Sequence, residues 1–286
     1  MVASGRYRSR FCTKGQMKLK SPVKLISAIL FILIAASWCA AQTANPSPAD
    51  DKAEKIVRRA IEVVGGDRYL TVKTLTGRGF FFDYKDGVSG VPVRFVDYIA
   101  FPDRERTEFS GGGMRTVQTN FAAQGWIFDG MAKTLKDQTA AQLEDFKFGL
   151  RTGFESLLHG WWRKQGATLS YVGRREAGLG RRNETVRLTY PDGFWIEYEF
   201  SATEGSPAKA LYERKHKKPD SEELETVAEE DRPLKPITID GVWTPYVIDH
   251  FRAGIQTSRI NYDKVEYNQP LADSLFAKPA SLKAIK

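Results

Sequence analysis

Apolar residues recur along this chain at two spacings, and the places where one gives way to the other mark out its elements. Ala53, Ile56, Val57, Ala60, Ile61 and Val64 stand three and four apart, the stripe of a half-buried helix. Ser47 can cap that helix, Pro48 suits its first position, Asp50 and Asp51 sit at its positive end, and Gly65-Gly66 stop it. From Leu75 the period drops to two, predicting strands over 74–83, 91–101, 104–110, 114–121 and 124–129. Asp86-Gly87, Pro102-Asp103 and Gly111-Gly112-Gly113 mark the reversals between them. Helical spacing returns over 138–164 with Leu143, Phe146, Leu150, Phe154, Leu157, Leu158, Trp161 and Trp162. Gly149 and Gly153 interrupt it, each costing about 1 kcal/mol relative to Ala, so two helical pieces joined at Gly153 are expected. Strands follow over 168–175, 184–190, 194–201, 207–216, 223–231, 242–251 and 255–268. The clearest alternation puts Ile196, Tyr198 and Phe200 on one face and Trp195, Glu197 and Glu199 on the other.

One helix, a run of strands, a helical insertion and more strands make an α+β fold. No fixed-period repeat or linker divides it, so residues 50–286 are expected to form a single domain. Upstream, Lys24 precedes an apolar run from Leu25 to Ala36, too short for the ~20 residues of a membrane-spanning helix, and small residues follow. That is the form of a secretory signal peptide over 1–41, cleaved after Ala41, with Met17 as an alternative start and 42–49 as a flexible spacer. Trp38 is too bulky for lipoprotein processing at Cys39, and no later segment is long and apolar enough to span a membrane, so a protein soluble in the periplasm, or secreted if the organism has one membrane, is expected.

The leader changes the charge. It holds seven of the 43 basic residues and none of the 35 acidic ones, so the mature chain carries 36 against 35. The net charge of +8 is therefore no footprint for nucleic acid. The leader also takes both cysteines, which removes disulfide, thiolate-metal and cysteine-nucleophile chemistry. His159, His216 and His250 form no short-spaced pair, and no hydrolase, zinc or dinucleotide motif stands in a convincing context, so neither cofactor, metal nor catalytic activity is expected. The basic run 214–218 followed by acidic residues reads as a hairpin with opposite charges across it. What stands out is the aromatic load, with Trp126, Trp161, Trp162, Trp195 and Trp243 all in the mature chain; large flat side chains build cores and also wall apolar pockets.

Several stretches resemble the LolA/LolB superfamily of periplasmic lipoprotein carriers, which also contains the sensor RseB. They are Leu75-Thr76-Gly77-Arg78-Gly79 after the first helix, Tyr98 to Arg106, Gly125-Trp126-Ile127-Phe128-Asp129, Asp240 to Pro245, and the ending Val265 to Pro279. The chain departs from the dedicated carriers at Phe101, where they place a basic residue before the proline. The resemblance implies an incomplete, strongly curved antiparallel half-barrel, with helices as a lid over an apolar concave face that receives acyl chains. It implies a monomeric carrier in outer-membrane lipoprotein sorting, whose partners are acyl chains of lipoproteins or lipids and envelope or membrane proteins. An RseB-like sensor that uses the same cavity without transport is the alternative. Candidate liners are Phe95, Phe101, Trp126, Phe128, Phe154, Leu157, Trp161, Trp195 and Trp243.

Overall fold

The computed structural model describes residues 48–218 and 221–285. The leader expected over 1–41 and the Ser47 cap lie outside the described residues. Helix α1 (Pro48–Val64) begins two residues inside the expected spacer, with Asp50 and Asp51 in its first turn. Ala53, Val57, Ala60 and Val64 of its stripe are buried, and Ile56 and Ile61 flank them. A short α2 (Asp67–Leu70), absent from the sequence expectation, follows the two glycines.

The strands are β1 (Thr74–Lys85), β2 (Val88–Ser89), β3 (Val93–Ala100), β4 (Arg104–Gly111), β5 (Met114–Phe121), β6 (Gln124–Asp129) and β7 (Thr134–Asp137). After the helices come β8 (Thr168–Glu176), β9 (Arg182–Thr189), β10 (Trp195–Ser201), β11 (Pro207–Lys217), β12 (Leu224–Ile239), β13 (Val242–Arg252) and β14 (Ile255–Tyr267). They form one antiparallel sheet in the order β7-β6-β5-β4-β3-β1-β14-β13-β12-β11-β10-β9-β8, with β2 paired only to β1. Bulges interrupt the register between Arg78 and Gly79, Tyr171 and Gly173, Glu199 and Phe200, and His250 and Phe251; each bends its strand and curls the sheet.

That order dictates the helices. β7 and β8 follow one another along the chain but stand at opposite edges of the sheet, which stays unclosed. The segment between them has to cross the open mouth, and it holds α3 (Ala140–Thr152), α4 (Phe154–Leu158) and a 3-10 turn at Trp161–Gln165. Thr139 and Gln142 form a capping box at the start of α3, and Gly153 in extended conformation separates the two helices at the expected break.

The core gathers at the β8–β10 end. There α1 lies on β8 and β9 and meets α4. Leu157, Leu158 and Trp162 from the crossing segment pack with Leu169, Val186, Leu188, Ile196, Tyr198 and Phe200 from the sheet. Two differences from the expected strands have local causes. β12 runs through Pro233 and Pro236 to Ile239, eight residues past the expected end; beyond Asp231 it pairs with β13 alone, and an edge tolerates a missing N–H. β7 is an edge strand of four residues, too short to show a period. The charged hairpin forms as expected, with Lys217 on Glu222 at 2.5 Å and Lys218 on Glu223 at 2.7 Å.

Candidate functional site

Between the crossing helices and the inner face of the sheet lies a cavity of about 760 Å³. Its roof is the inward side of α3 and α4, with Phe146, Leu150, Phe154 and Leu158, and Trp161 follows them. Its floor comes from strands far apart in sequence, including Leu75, Ile99, Trp243, Ile248, Tyr262, Val265 and Tyr267. Gly149 contributes room, since nothing stands where its side chain would be. Close approach also explains two floor glycines: a Cβ on Gly77 would collide with the Tyr262 ring, and one on Gly79 with the Asn261 carbonyl. At the rim His159 stacks on Trp161 with centroids 4.8 Å apart, and Phe101 and Tyr69 flank the pair. Burial holds the His159 imidazole below its usual pKa, which favours the neutral, stackable ring.

The roof is tied to the floor at its break. The Tyr198 hydroxyl donates to the carbonyls of Thr152 at 3.2 Å and Gly153 at 3.3 Å, and the Phe154 ring leans on Tyr198 with centroids 5.2 Å apart. Burial lifts Tyr198 well above the ordinary phenol value, so the hydroxyl stays protonated and keeps donating.

The inner face is not uniformly apolar. Glu105, Gln118, Asn120 and Glu155 line the cavity, and Asp97 is buried on the same face of β3 as Ile99. Burial pushes the Glu105 carboxyl up to about 7, with the Asp97 charge adding to it. Asp97 is pushed up to about 6 by burial, against a hydrogen bond from Thr107 that lowers it. On another part of the wall His250 Nδ1 meets Asp231 Oδ1 at 2.5 Å; burial lowers its pKa, the Asp231 partnership raises it, and the net direction is up.

Of the nine aromatic and aliphatic candidates, Phe101, Phe154, Trp161 and Trp243 stand on the cavity wall. The other five do not, each for a visible reason. Phe95 shares the inner face of β3 with Asp97 and Ile99 but is buried beyond the cavity wall, edge-on to Tyr262 at 5.4 Å. Leu157 belongs to the core beneath α1. Trp126 and Phe128 alternate onto the outer face of β6, where the C-terminal segment covers Trp126: its Nε1 donates to the Phe276 carbonyl at 2.9 Å. Arg106 lies 5.4 Å over the Trp126 ring and donates to the Leu275 carbonyl at 2.9 Å, so the chain ending acts as an outer strap. Trp195 is on the outer face of β10 beneath the Arg187 guanidinium. Its neighbours Glu197 and Glu199 face outward as expected yet are buried, under Arg175, Arg187 and Lys209. Glu105, Asn120, Glu155 and Tyr262 were missed. The phase of the three strand residues was present in the alternation, but nothing in a period of two says which face is the inner one, and Glu155 stands on α4, where no strand period applies. Among the described residues no cluster of His, Cys, Asp or Glu could hold a metal ion, and no helix is long and apolar enough to cross a membrane.

No family model matches the chain, and no curated protein matches it. Solved structures do. A DUF1329 family protein from Desulfovibrio piger aligns with a TM-score of 0.53 at 12% identity, over 79% of this chain and 97% of its own. A LolA superfamily protein from Nitrosomonas europaea aligns over the same shares at 12% identity with a TM-score of 0.49. The fold, an unclosed and curled antiparallel half-barrel, is shared with the DUF1329 family protein. MucB aligns over 81% of this chain and 64% of its own, at 14% identity and a TM-score of 0.26. At 12% identity what is shared with the DUF1329 family protein is a fold, and the function of the half-barrel has to be argued from its own cavity.

Proposed function

We propose that this half-barrel is an exported, single-domain carrier that holds the acyl chains of a lipid or lipoprotein between its sheet and its crossing helices. The observation that carries the reading is the cavity itself. Its 760 Å³ lies within the roughly 300–1,000 Å³ of small-molecule sites. Phe101, Phe154, Trp161 and Trp243 give it a large apolar wall that asks for no directional chemistry. Binding energy would come from apolar burial at about 0.8 kcal/mol per methylene. Release would come from displacement of α3 and α4, which reach across the open mouth and hold to the floor at their junction through Tyr198. Work in the periplasm, in outer-membrane lipoprotein sorting, follows from the leader and from the superfamily resemblance.

The deciding experiment is native mass spectrometry of protein purified from a native envelope extract, with identification of bound lipid. Acyl-containing species at about one per chain would support the carrier. A protein that comes out empty and also refuses added lipid or lipopeptide would end this reading and turn attention to contact with a protein partner.

A further inference from the structure

The charge on the cavity wall is one-sided. Arg104 is drawn away to Asp273 at 2.5 Å and lies over the Phe121 ring. Asp145 is paired with Arg214, and Asp231 with His250. Glu105, Glu155 and the adjacent Asp97 make no ion pair with any described residue. Tyr262, which lines the same cavity, is held well above its ordinary pKa by burial first and then by the charges of Asp97, Glu105 and Glu155. Asn120 stands directly across from Glu105 on β5. It is 2% exposed, lines the cavity, and its Oδ1 has no hydrogen-bond partner; one Asp97 oxygen is in the same position. Buried acceptors without donors are costly unless something else brings the donors.

We propose that this floor is a head-group subsite, and that the cavity takes an amphiphile whose apolar chain ends in an ammonium held by Glu105 and Asn120 with Asp97 behind them. The inference rests on the reading of the cavity as a site for apolar chains and adds the chemistry of the head. An ammonium brings three donors and a positive charge to a floor where Asn120 Oδ1 and one Asp97 oxygen have no donor and the carboxyls have no ion pair, and its hydrogen bonds to carboxylates are of the strong, charge-assisted kind. A carboxylate or phosphate head would bring like charge into a buried site whose acids already resist ionisation. An ammonium favours the ionised form of Glu105, so its binding releases a proton from that carboxyl to solvent.

The test uses three probes of equal chain length, dodecylamine, dodecanol and dodecanoate, each below its micelle concentration. Each displaces a hydrophobic dye from the purified protein at neutral pH. The amine is expected to bind about fivefold more tightly than the alcohol, with dodecanoate the weakest; lowering the Glu105 pKa by about one on binding gives that preference at pH 7, where the free carboxyl is half ionised. Calorimetry in two buffers of different ionisation enthalpy should show proton release with the amine and none with the alcohol. In Glu105→Gln the preference for amine over alcohol should fall to about onefold, because the neutral amide keeps the shape and loses the charge. Equal binding of all three probes would overturn the subsite and leave the apolar cavity standing. So would dodecanoate matching the amine, or a preference that Glu105→Gln does not alter. If none of the three displaces the dye, the cavity is no acyl site and both readings fall. The comparison of heads on the unaltered protein decides the matter even if the variant does not fold.

Discussion

Replacing Tyr198 by Phe removes one oxygen from a fully buried ring and should loosen the roof without emptying the core. The ring keeps its packing against Phe154, so no cavity is created. What goes is the donor to the Thr152 and Gly153 carbonyls, at the point where α3 ends and the chain turns extended before α4. Carbonyls at a helix end have no partner within the helix, so losing an outside donor leaves them to water or to nothing. A net hydrogen bond is worth about 1 kcal/mol, rising to about 3 kcal/mol if a carbonyl is left dry. For a domain of this size each 1 kcal/mol lowers Tm by about 2–4 °C. Because burial keeps the phenol protonated, the loss should be the same across neutral and mildly alkaline pH. Thermal unfolding followed by circular dichroism measures the total, and hydrogen exchange locates it. Faster exchange is expected at amides 153–158. A bound amphiphile should also dissociate faster, since the roof opens at lower cost. An unchanged Tm together with unchanged protection at 153–158 would refute the idea that this hydroxyl fastens the roof.

Straight-chain alcohols of increasing length should bind about fourfold more tightly per added carbon, the equivalent of 0.8 kcal/mol, until the cavity is full; a flat series in dye displacement would rule out chain burial. Glu105 binds its proton more tightly in the folded protein, at about 7, than in the unfolded chain, so the stability it contributes is present in full below about pH 4 and is lost as pH rises through 7. Glu105→Gln should therefore gain on the unaltered protein between pH 5 and pH 7, by about 1.4 kcal/mol for each step of one in pH, and urea midpoints that keep a constant offset would contradict this. Phe276→Ala, at a side chain only 3% exposed, should cost about 3–5 kcal/mol and uncover Trp126, with a red shift in its emission; a stable variant with unchanged emission would show that the C-terminal strap does not hold the outer face.

Local features were readable wherever one residue or one period decides the outcome. The α1 stripe, the break at Gly153, the Asp86-Gly87 and Gly112-Gly113 turns and the opposed faces of 195–200 all follow from spacing and backbone freedom. The Val265–Pro279 ending carried a family resemblance, but gave no sign of its job as a strap against Arg106 and Trp126. The site was half visible. Phe101, Phe154, Trp161 and Trp243 reach the cavity, while Trp126, Phe128 and Trp195, equally aromatic, sit on outer faces.

The sequence by itself determined periods, turns and the two faces of each strand, because these depend on neighbours along the chain. Only the tertiary structure decided which face is inside, since exchanging the two faces of a strand leaves its alternation unchanged. It also decided that β7 and β8 are opposite edges, a consequence of β1 pairing with the last strand, β14, across almost the whole length of the described chain. From that one long-range pairing come the open mouth, the helices that have to cross it, and the meeting of Glu105, Asn120 and Tyr262 in a single cavity.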